Sequence, residues 1–202
     1  MVRPLVIAHR GASAELPENT LPAFERAIEI GADFVELDVH ARPDGTLAVT
    51  HDTPRPDVAT PTLEDALDLC HGRICVMVEL KTPSRYRNFD VIGRTLALLR
   101  DDDVVVSFEA EAIREVRERR PELRTVQHVE YVPLEVAEQV GSWSVGFLDR
   151  DATEPALARA RDRGLVSTVY TVNDPERMRE LARFGAGGIF TDDPALALRT
   201  LA

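Results

Sequence analysis

Short apolar, β-branched runs alternate with longer stretches of helical periodicity along the whole chain of 202 residues. The short runs lie at 5–8, 34–39, 74–80, 104–108, 124–129, 144–148, 167–171 and 188–191, and they predict strands. Between and after them, apolar spacing predicts helices over 21–30, 63–69, 91–99, 111–119, 134–140, 155–163, 175–184 and 195–201. Start signals such as Asn19-Thr20, Asp174-Pro175 and Asp193-Pro194 open several helices. Gly31, Gly141, Gly164 and Gly185 suit their C-termini. A further strand over 47–50 follows the turn Pro43-Asp44-Gly45, so a short hairpin-like excursion is expected after the second strand.

Eight strand–helix units predict a single α/β domain over residues 1–202, a (β/α)8 TIM-type barrel. A doubly wound open sheet is the competitor, but it uses fewer units, and no GxGxxG opens the first helix. Barrel enzymes carry their chemistry at the C-terminal ends of the strands. His9, Arg10, Glu36, Asp38, Glu79, Lys81, Ser107 and Asn173 all fall at or near that end. The rule also removes a decoy: Gly185-Ala186-Gly187-Gly188 looks like a phosphate-cradling loop, yet it precedes its strand and reads as a helix-to-strand turn. Thr191-Asp192-Asp193-Pro194 follows the strand and is on the correct side, although Asp193-Pro194 equally serves as a helix start.

Within Phe34-Val35-Glu36-Leu37-Asp38-Val39, acidic and apolar residues alternate, so Glu36 and Asp38 face one side. Two carboxylates there repel each other and are costly to bury without a counter-ion. Glu79, in Val78-Glu79-Leu80-Lys81, adds a third oxygen donor from the next strand. The bland alternative is a salt-bridge cluster with Lys81 or Arg10. Three acids beside two histidines and an arginine favour one divalent cation, and hard oxygen ligands favour Mg²⁺, Ca²⁺ or Mn²⁺ over zinc.

Composition narrows the partners. With 35 acidic against 24 basic side chains the formal charge is −11, which repels nucleic acid and anionic lipid. The arginines at 114, 117, 119 and 120 do not reverse this, because glutamates are interleaved with them as on a solvated helix face. No apolar run is long enough to span a bilayer, so no integral membrane association is expected. The first strand begins almost at Met1, which argues against a cleaved signal peptide. Cys70 and Cys75 form no CxxC pair and read as reduced thiols of a cytoplasmic protein, a disulfide being the weaker reading. Oligomeric state is not legible.

His9-Arg10-Gly11-Ala12, Pro17-Glu18-Asn19-Thr20, Glu36-Leu37-Asp38-Val39, Asp44-Gly45, His51-Asp52 and Glu79-Leu80-Lys81 resemble, in order and spacing, the signature series of the glycerophosphodiester phosphodiesterase family. Thr171-Val172-Asn173 and Thr191-Asp192-Asp193-Pro194 resemble its closing motifs. The resemblance implies a metal-dependent barrel hydrolase that cleaves glycerophosphodiesters, small molecules of lipid and glycerol metabolism, to glycerol 3-phosphate and an alcohol. It further implies Glu36, Asp38 and Glu79 as metal ligands, His9 and His51 as general acid and base, and Arg10 and Lys81 as phosphate contacts. The chemistry is consistent: an anionic diester needs its charge neutralised, and histidine titrates in the range that both proton transfers require. Which histidine begins as base stays open, as does water attack against a cyclic phosphate.

Other residues carry competing expectations. Glu18 and Asn19 reach the metal or substrate, or Asn19 caps the first helix. Asn173 and Tyr170 are expected at the substrate, with Tyr170 standing where the family commonly has tryptophan. His40 is expected to support the site, His71 and His128 to be structural or exposed, and Ser107 to satisfy nearby backbone. The segment 53–62 after His51 is ten residues with three prolines, where many relatives carry a longer insertion. Two alternatives stand beside the leading reading. One is another phosphodiesterase or a lysophospholipase D-type specificity on the same site. The other is a catalytically silent barrel that binds a phosphorylated ligand.

Overall fold

The computed structural model describes residues 3–55 and 57–202. Pro56, one of the three prolines after His51, and the first two residues of the chain lie outside the described residues. In chain order the elements are β1 (Leu5–Ala8), α1 (Leu21–Ile30), β2 (Phe34–Ala41), β3 (Leu47–Val49), α2 (Leu63–Cys70), β4 (Cys75–Leu80), α3 (Val91–Leu98), β5 (Val104–Ser107) and α4 (Ala110–Arg119). They continue with β6 (Arg124–His128), α5 (Leu134–Gln139), β7 (Ser144–Leu148), α6 (Glu154–Asp162), β8 (Val166–Tyr170), α7 (Pro175–Phe184), β9 (Gly188–Thr191) and α8 (Pro194–Leu201).

Strands run in the order β1-β9-β8-β7-β6-β5-β4-β2, and β1 also pairs with β2, which closes a parallel eight-stranded barrel. β3 lies outside the ring as the expected excursion, antiparallel to β2 with Val39 opposite Val49. That pairing extends β2 to Ala41, two residues past its expected end, because His40 and Ala41 find partners in Ala48 and Leu47. Short 3₁₀ turns at Pro83–Phe89 and Asp149–Asp151 were not legible from periodicity.

Alternation along each strand sorts side chains between two environments. Val35, Leu37 and Val39 of β2 face outward and pack with Phe24 of α1 and Leu63 of α2. Phe34 faces inward, where Ile7, Met77, Val104, Val106, Val126 and Phe190 form a separate apolar plug inside the barrel. Fully burying each large side chain of this plug contributes about 1.5–3 kcal/mol. Two residues up β2 from Phe34, the inward positions become Glu36 and then Asp38. The plug thus closes the barrel from below and leaves a polar floor at the C-terminal end.

Candidate active site

Registry brings the acids together. Asp38 of β2 is directly opposite Glu79 of β4, and Glu36 is opposite Met77. Glu36, Asp38 and Glu79 are all buried, and each offers a carboxylate oxygen within 4.8 Å of the others. Lys81 Nζ lies 2.6 Å from Glu79 Oε1 and 2.9 Å from Asp38 Oδ1. Arg10 places Nε 3.0 Å from Asp38 Oδ2 and donates from Nη1 to Glu18 Oε2 at 2.8 Å. Its backbone N–H donates to Glu36 Oε2 at 3.0 Å. Arg10 and Gly11 have φ of 57° and 86°, so the chain turns sharply out of β1. Gly11 is required by space as well, since a Cβ there would lie 2.7 Å from the backbone of Ala23 in α1.

Asn19 resolves its two competing roles. Thr20, not Asn19, caps α1, accepting from the Ala23 N–H. Asn19, at φ 55°, turns inward: its Nδ2 donates to Asp38 Oδ2 at 2.8 Å and its Oδ1 accepts the Asp38 N–H at 3.2 Å. β1 pairs with β2 only at Ile7 and Ala8, so Asp38 has no strand neighbour on that side and Asn19 takes its place.

The electrostatics expose an imbalance. Three carboxylates face two cationic side chains. Burial, reinforced by the charges of Asp38 and Glu79, pushes the Glu36 carboxyl well above its ordinary range. Burial likewise pushes Glu79 up to about 7, against the pull of Lys81. Asp38 goes the other way: burial opposes its ionisation, but Lys81, Arg10 and the Asn19 hydrogen bond outweigh it. Asp38 Oδ1 and Glu79 Oε1 are buried without an aligned hydrogen bond, although Lys81 is near both. The cluster therefore carries surplus negative charge, with the single Lys81 ammonium shared between two buried carboxylate oxygens. Its 4.8 Å span is close to two cation–oxygen bonds of ~2.0–2.6 Å. The donor set fits a hard divalent cation better than a closed salt-bridge cluster.

Each site histidine has a carboxylate behind it. His9 Nδ1 is 2.8 Å from Asp192 Oδ1, across the β1–β9 seam. His51 Nδ1 is 3.0 Å from Asp52 Oδ1, whose side chain is 93% exposed. His40 is tied to the backbone that carries His51: its Nε2 donates to the His51 carbonyl at 3.0 Å, which leaves Nδ1 to accept from the Tyr86 hydroxyl at the same distance. Asn173 spends its amide on Asp192 and Thr191, so it meets the site through Asp192. Ser107 accepts the Glu109 N–H and donates to the Leu80 carbonyl, the backbone role expected of it. His71 pairs with Asp103 at 2.9 Å.

Tyr170 lines the barrel wall beside the acids. Its ring meets His128 at 4.1 Å and Phe108 at 5.9 Å between centroids, and Lys81 lies 5.9 Å from the Phe108 centroid. His128 is wholly buried in this aromatic group, where loss of hydration holds its pKa down at about 3 and keeps it neutral. A Cβ on Gly146 would stand 2.1 Å from its Nδ1, so glycine there makes room for the ring.

The family model for the glycerophosphoryl diester phosphodiesterase family matches residues 9–71 and 53–196. The chain belongs to this family. It is 28% identical to a glycerophosphodiester phosphodiesterase of Bacillus subtilis over 251 residues, covering 96% of this chain and 85% of the relative. That alignment is longer than this chain, so the relative carries segments that are missing here. The fold superposes on a glycerophosphodiester phosphodiesterase of Parabacteroides distasonis with a TM-score of 0.88 and 25% identity, covering 98% and 97% of the two chains. It is similarly close, with a TM-score of 0.88 and 22% identity over 98% and 96%, to an Oleispira antarctica phosphodiesterase solved with its product sn-glycerol-3-phosphate. Family members are phosphoric diester hydrolases, and this chain is an enzyme of that class.

Asp192, the partner of His9, was named from the sequence only within Thr191-Asp192-Asp193-Pro194 and was given no role of its own. It is 183 residues from His9, and only closure of the barrel makes them neighbours. The signal was its place directly after a strand, but the neighbouring Asp193-Pro194 helix start explained it equally well.

Proposed function

We propose that this chain is a metal-dependent glycerophosphodiester phosphodiesterase, a single domain over residues 1–202 that releases glycerol 3-phosphate and an alcohol. The observation that carries the reading is the convergence of three buried carboxylates at the barrel mouth, between two cationic side chains and beside two carboxylate-backed histidines. Glu36, Asp38 and Glu79 would hold one divalent cation, Mg²⁺, Ca²⁺ or Mn²⁺. When bound, that ion supplies positive charge and Lewis acidity at the phosphoryl oxygens.

The remaining roles follow from this chain's own residues. Arg10 and Lys81 attract the diester anion and orient it, Arg10 through its planar fork. Glu18 and Asn19 hold Arg10 and Asp38 in place from the outer side. His9 and His51 exchange the two protons of the reaction, one from the attacking hydroxyl and one to the departing alcohol. Tyr170 offers a partly buried aromatic face to the apolar side of the substrate. Asn173 acts on the reaction only through Asp192. No helix among the described residues is long and apolar enough to cross a membrane, and both cysteines are free. The two thiols support placing the enzyme in the reducing cytoplasm, with a small-molecule phosphodiester as its partner.

The test is hydrolysis of glycerophosphodiesters by purified protein with each metal, after chelation, and with a generic aryl phosphodiester in parallel. The expected result is metal-dependent release of glycerol 3-phosphate. Full turnover by metal-free protein would overturn the cation site. Cleavage of the aryl diester alone, or of lysophospholipids alone, would move the chain to a different specificity. Binding without turnover would make it a silent barrel.

A further inference from the structure

Asp192 is held from both sides. Its Oδ2 accepts from Asn173 Nδ2 at 2.6 Å, and its Oδ1 lies 2.8 Å from His9 Nδ1 and 3.1 Å from the Ser13 hydroxyl. The orientation of the Asn173 amide is decided by its other end. Asn173 Oδ1 accepts the Asp192 backbone N–H at 2.9 Å, and a backbone N–H can only donate. The amide NH₂ therefore faces Asp192 and cannot turn away without losing that bond, nor without losing the Thr191 hydroxyl at 2.9 Å. Burial alone would raise the Asp192 carboxyl, but hydrogen bonds from His9, Asn173 and Ser13 bring it below its ordinary value. Its oxygens thus only accept, and the ring nitrogen facing them must carry a proton.

Resting on the hydrolase reading above, we propose that Asp192, locked by Asn173, is a positioning residue that fixes His9 as the Nδ1–H tautomer. The free lone pair of His9 is then on Nε2, the only ring nitrogen left for the pocket. His9 enters the cycle as the proton acceptor and His51 as the donor. The proton taken from the attacking hydroxyl resides on His9 Nε2, and the departing oxygen receives its proton from His51. His51 has no comparable lock: Asp52 is almost fully exposed and, among the described residues, no other side chain holds it.

The arrangement makes an unusual demand on variants. In Asp192→Asn, the side chain faces one fixed donor, Asn173 Nδ2, and must turn its carbonyl oxygen toward it. Its own NH₂ then points at His9 Nδ1 and forces the opposite tautomer, with Nε2 protonated. The swap Asp192→Asn/Asn173→Asp reverses this. The carboxylate at 173 accepts from the Asp192-position backbone N–H and from the new amide, whose carbonyl returns to face His9 Nδ1–H.

The experiment reads the tautomer directly, by long-range ¹H–¹⁵N correlation of the His9 ring in Mg²⁺-loaded protein at a pH where the ring is neutral. Wild type and the swap are expected as Nδ1–H, and Asp192→Asn as Nε2–H. Turnover of a glycerophosphodiester should fall about 10²–10⁴-fold in Asp192→Asn, with little change in KM, and recover at least about tenfold in the swap. A wild-type His9 in the Nε2–H form would overturn the proposal whatever the variants do. So would an Asp192→Asn protein that keeps the Nδ1–H form or most of its turnover. Because the ring signal is read without substrate, a failure of the hydrolase reading leaves this result distinguishable from it.

Discussion

Without divalent cations, replacing Glu79 by Gln should make this protein more stable than wild type at pH 8, relative to the difference between them at pH 4.5. Glu79 has a folded-state pKa of about 7 against an ordinary value of 4.5. Between these two values the folded wild type binds more protons than the unfolded chain, so this group's contribution is full below 4.5 and is lost as pH rises through 7. Gln cannot ionise and escapes the loss. At about 1.4 kcal/mol per pH unit, the gap from 4.5 to about 7 comes to ~3 kcal/mol. In a domain of this size that is roughly a 6–12 °C change in relative Tm. The comparison must be a difference between proteins, because His128 runs in the opposite sense: its pKa is held at about 3 against 6.5, so its contribution grows as pH rises through that window. It is common to both proteins and cancels. The assay is thermal unfolding of both proteins in chelator from pH 4.5 to 8, repeated with added Mg²⁺. The metal should cancel most of this difference, since an ion at 100 times its Kd stabilises wild type by ~2.7 kcal/mol and the variant by much less. A difference that stays flat with pH in chelator would show Glu79 comfortably ionised against Lys81, and the salt-bridge account of the acids would stand.

His9→Ala and His51→Ala should each lower kcat by about 10²–10⁴-fold, and the double variant by less than the product, because the pair acts as a unit; steady-state kinetics decide both. Gly146→Ala should cost ~1–3 kcal/mol in urea unfolding, because the new methyl would meet a ring packed at 4.1–5.9 Å between centroids from Phe108, Tyr170 and Phe190; an unchanged midpoint would refute that packing. Glycerophosphocholine, glycerophosphoethanolamine and glycerophosphoglycerol should have kcat/KM values within about tenfold, since the short, largely exposed segment after His51 offers few contacts to the leaving alcohol; a preference of several orders of magnitude would show another loop supplying them.

Glu36, Asp38 and Glu79 were readable from the sequence because strand alternation is local, and the order of β2 and β4 puts their oxygens on one wall. The barrel was readable for the same reason: each β-α unit announces itself by its own local periodicity. What alternation does not encode is which ends meet. The contact of His9 with Asp192 depends on a seam between the first and last strands, and the grip of His40 on the His51 carbonyl depends on the outer strand β3 folding back. Asn19 was ambiguous because Asn-Thr before a helix offers two capping residues. The left-handed φ of Asn19, which decides against it as cap, comes from the turn it shares with Arg10. Substrate range is harder still, because it depends on loop surfaces with no periodicity at all.

The seam has a consequence for how the protein comes into being on a ribosome. The three acids lie on adjacent strands within the first 81 residues, so that wall can assemble while most of the chain is still unmade. The partner of His9 arrives only with residue 192, when β9 slides between β8 and β1. A chain that stops short of β9 contains the three acids but not the carboxylate that stands behind His9. Closure of the ring of strands and completion of the His9–Asp192 pair are therefore one and the same event in the making of the chain.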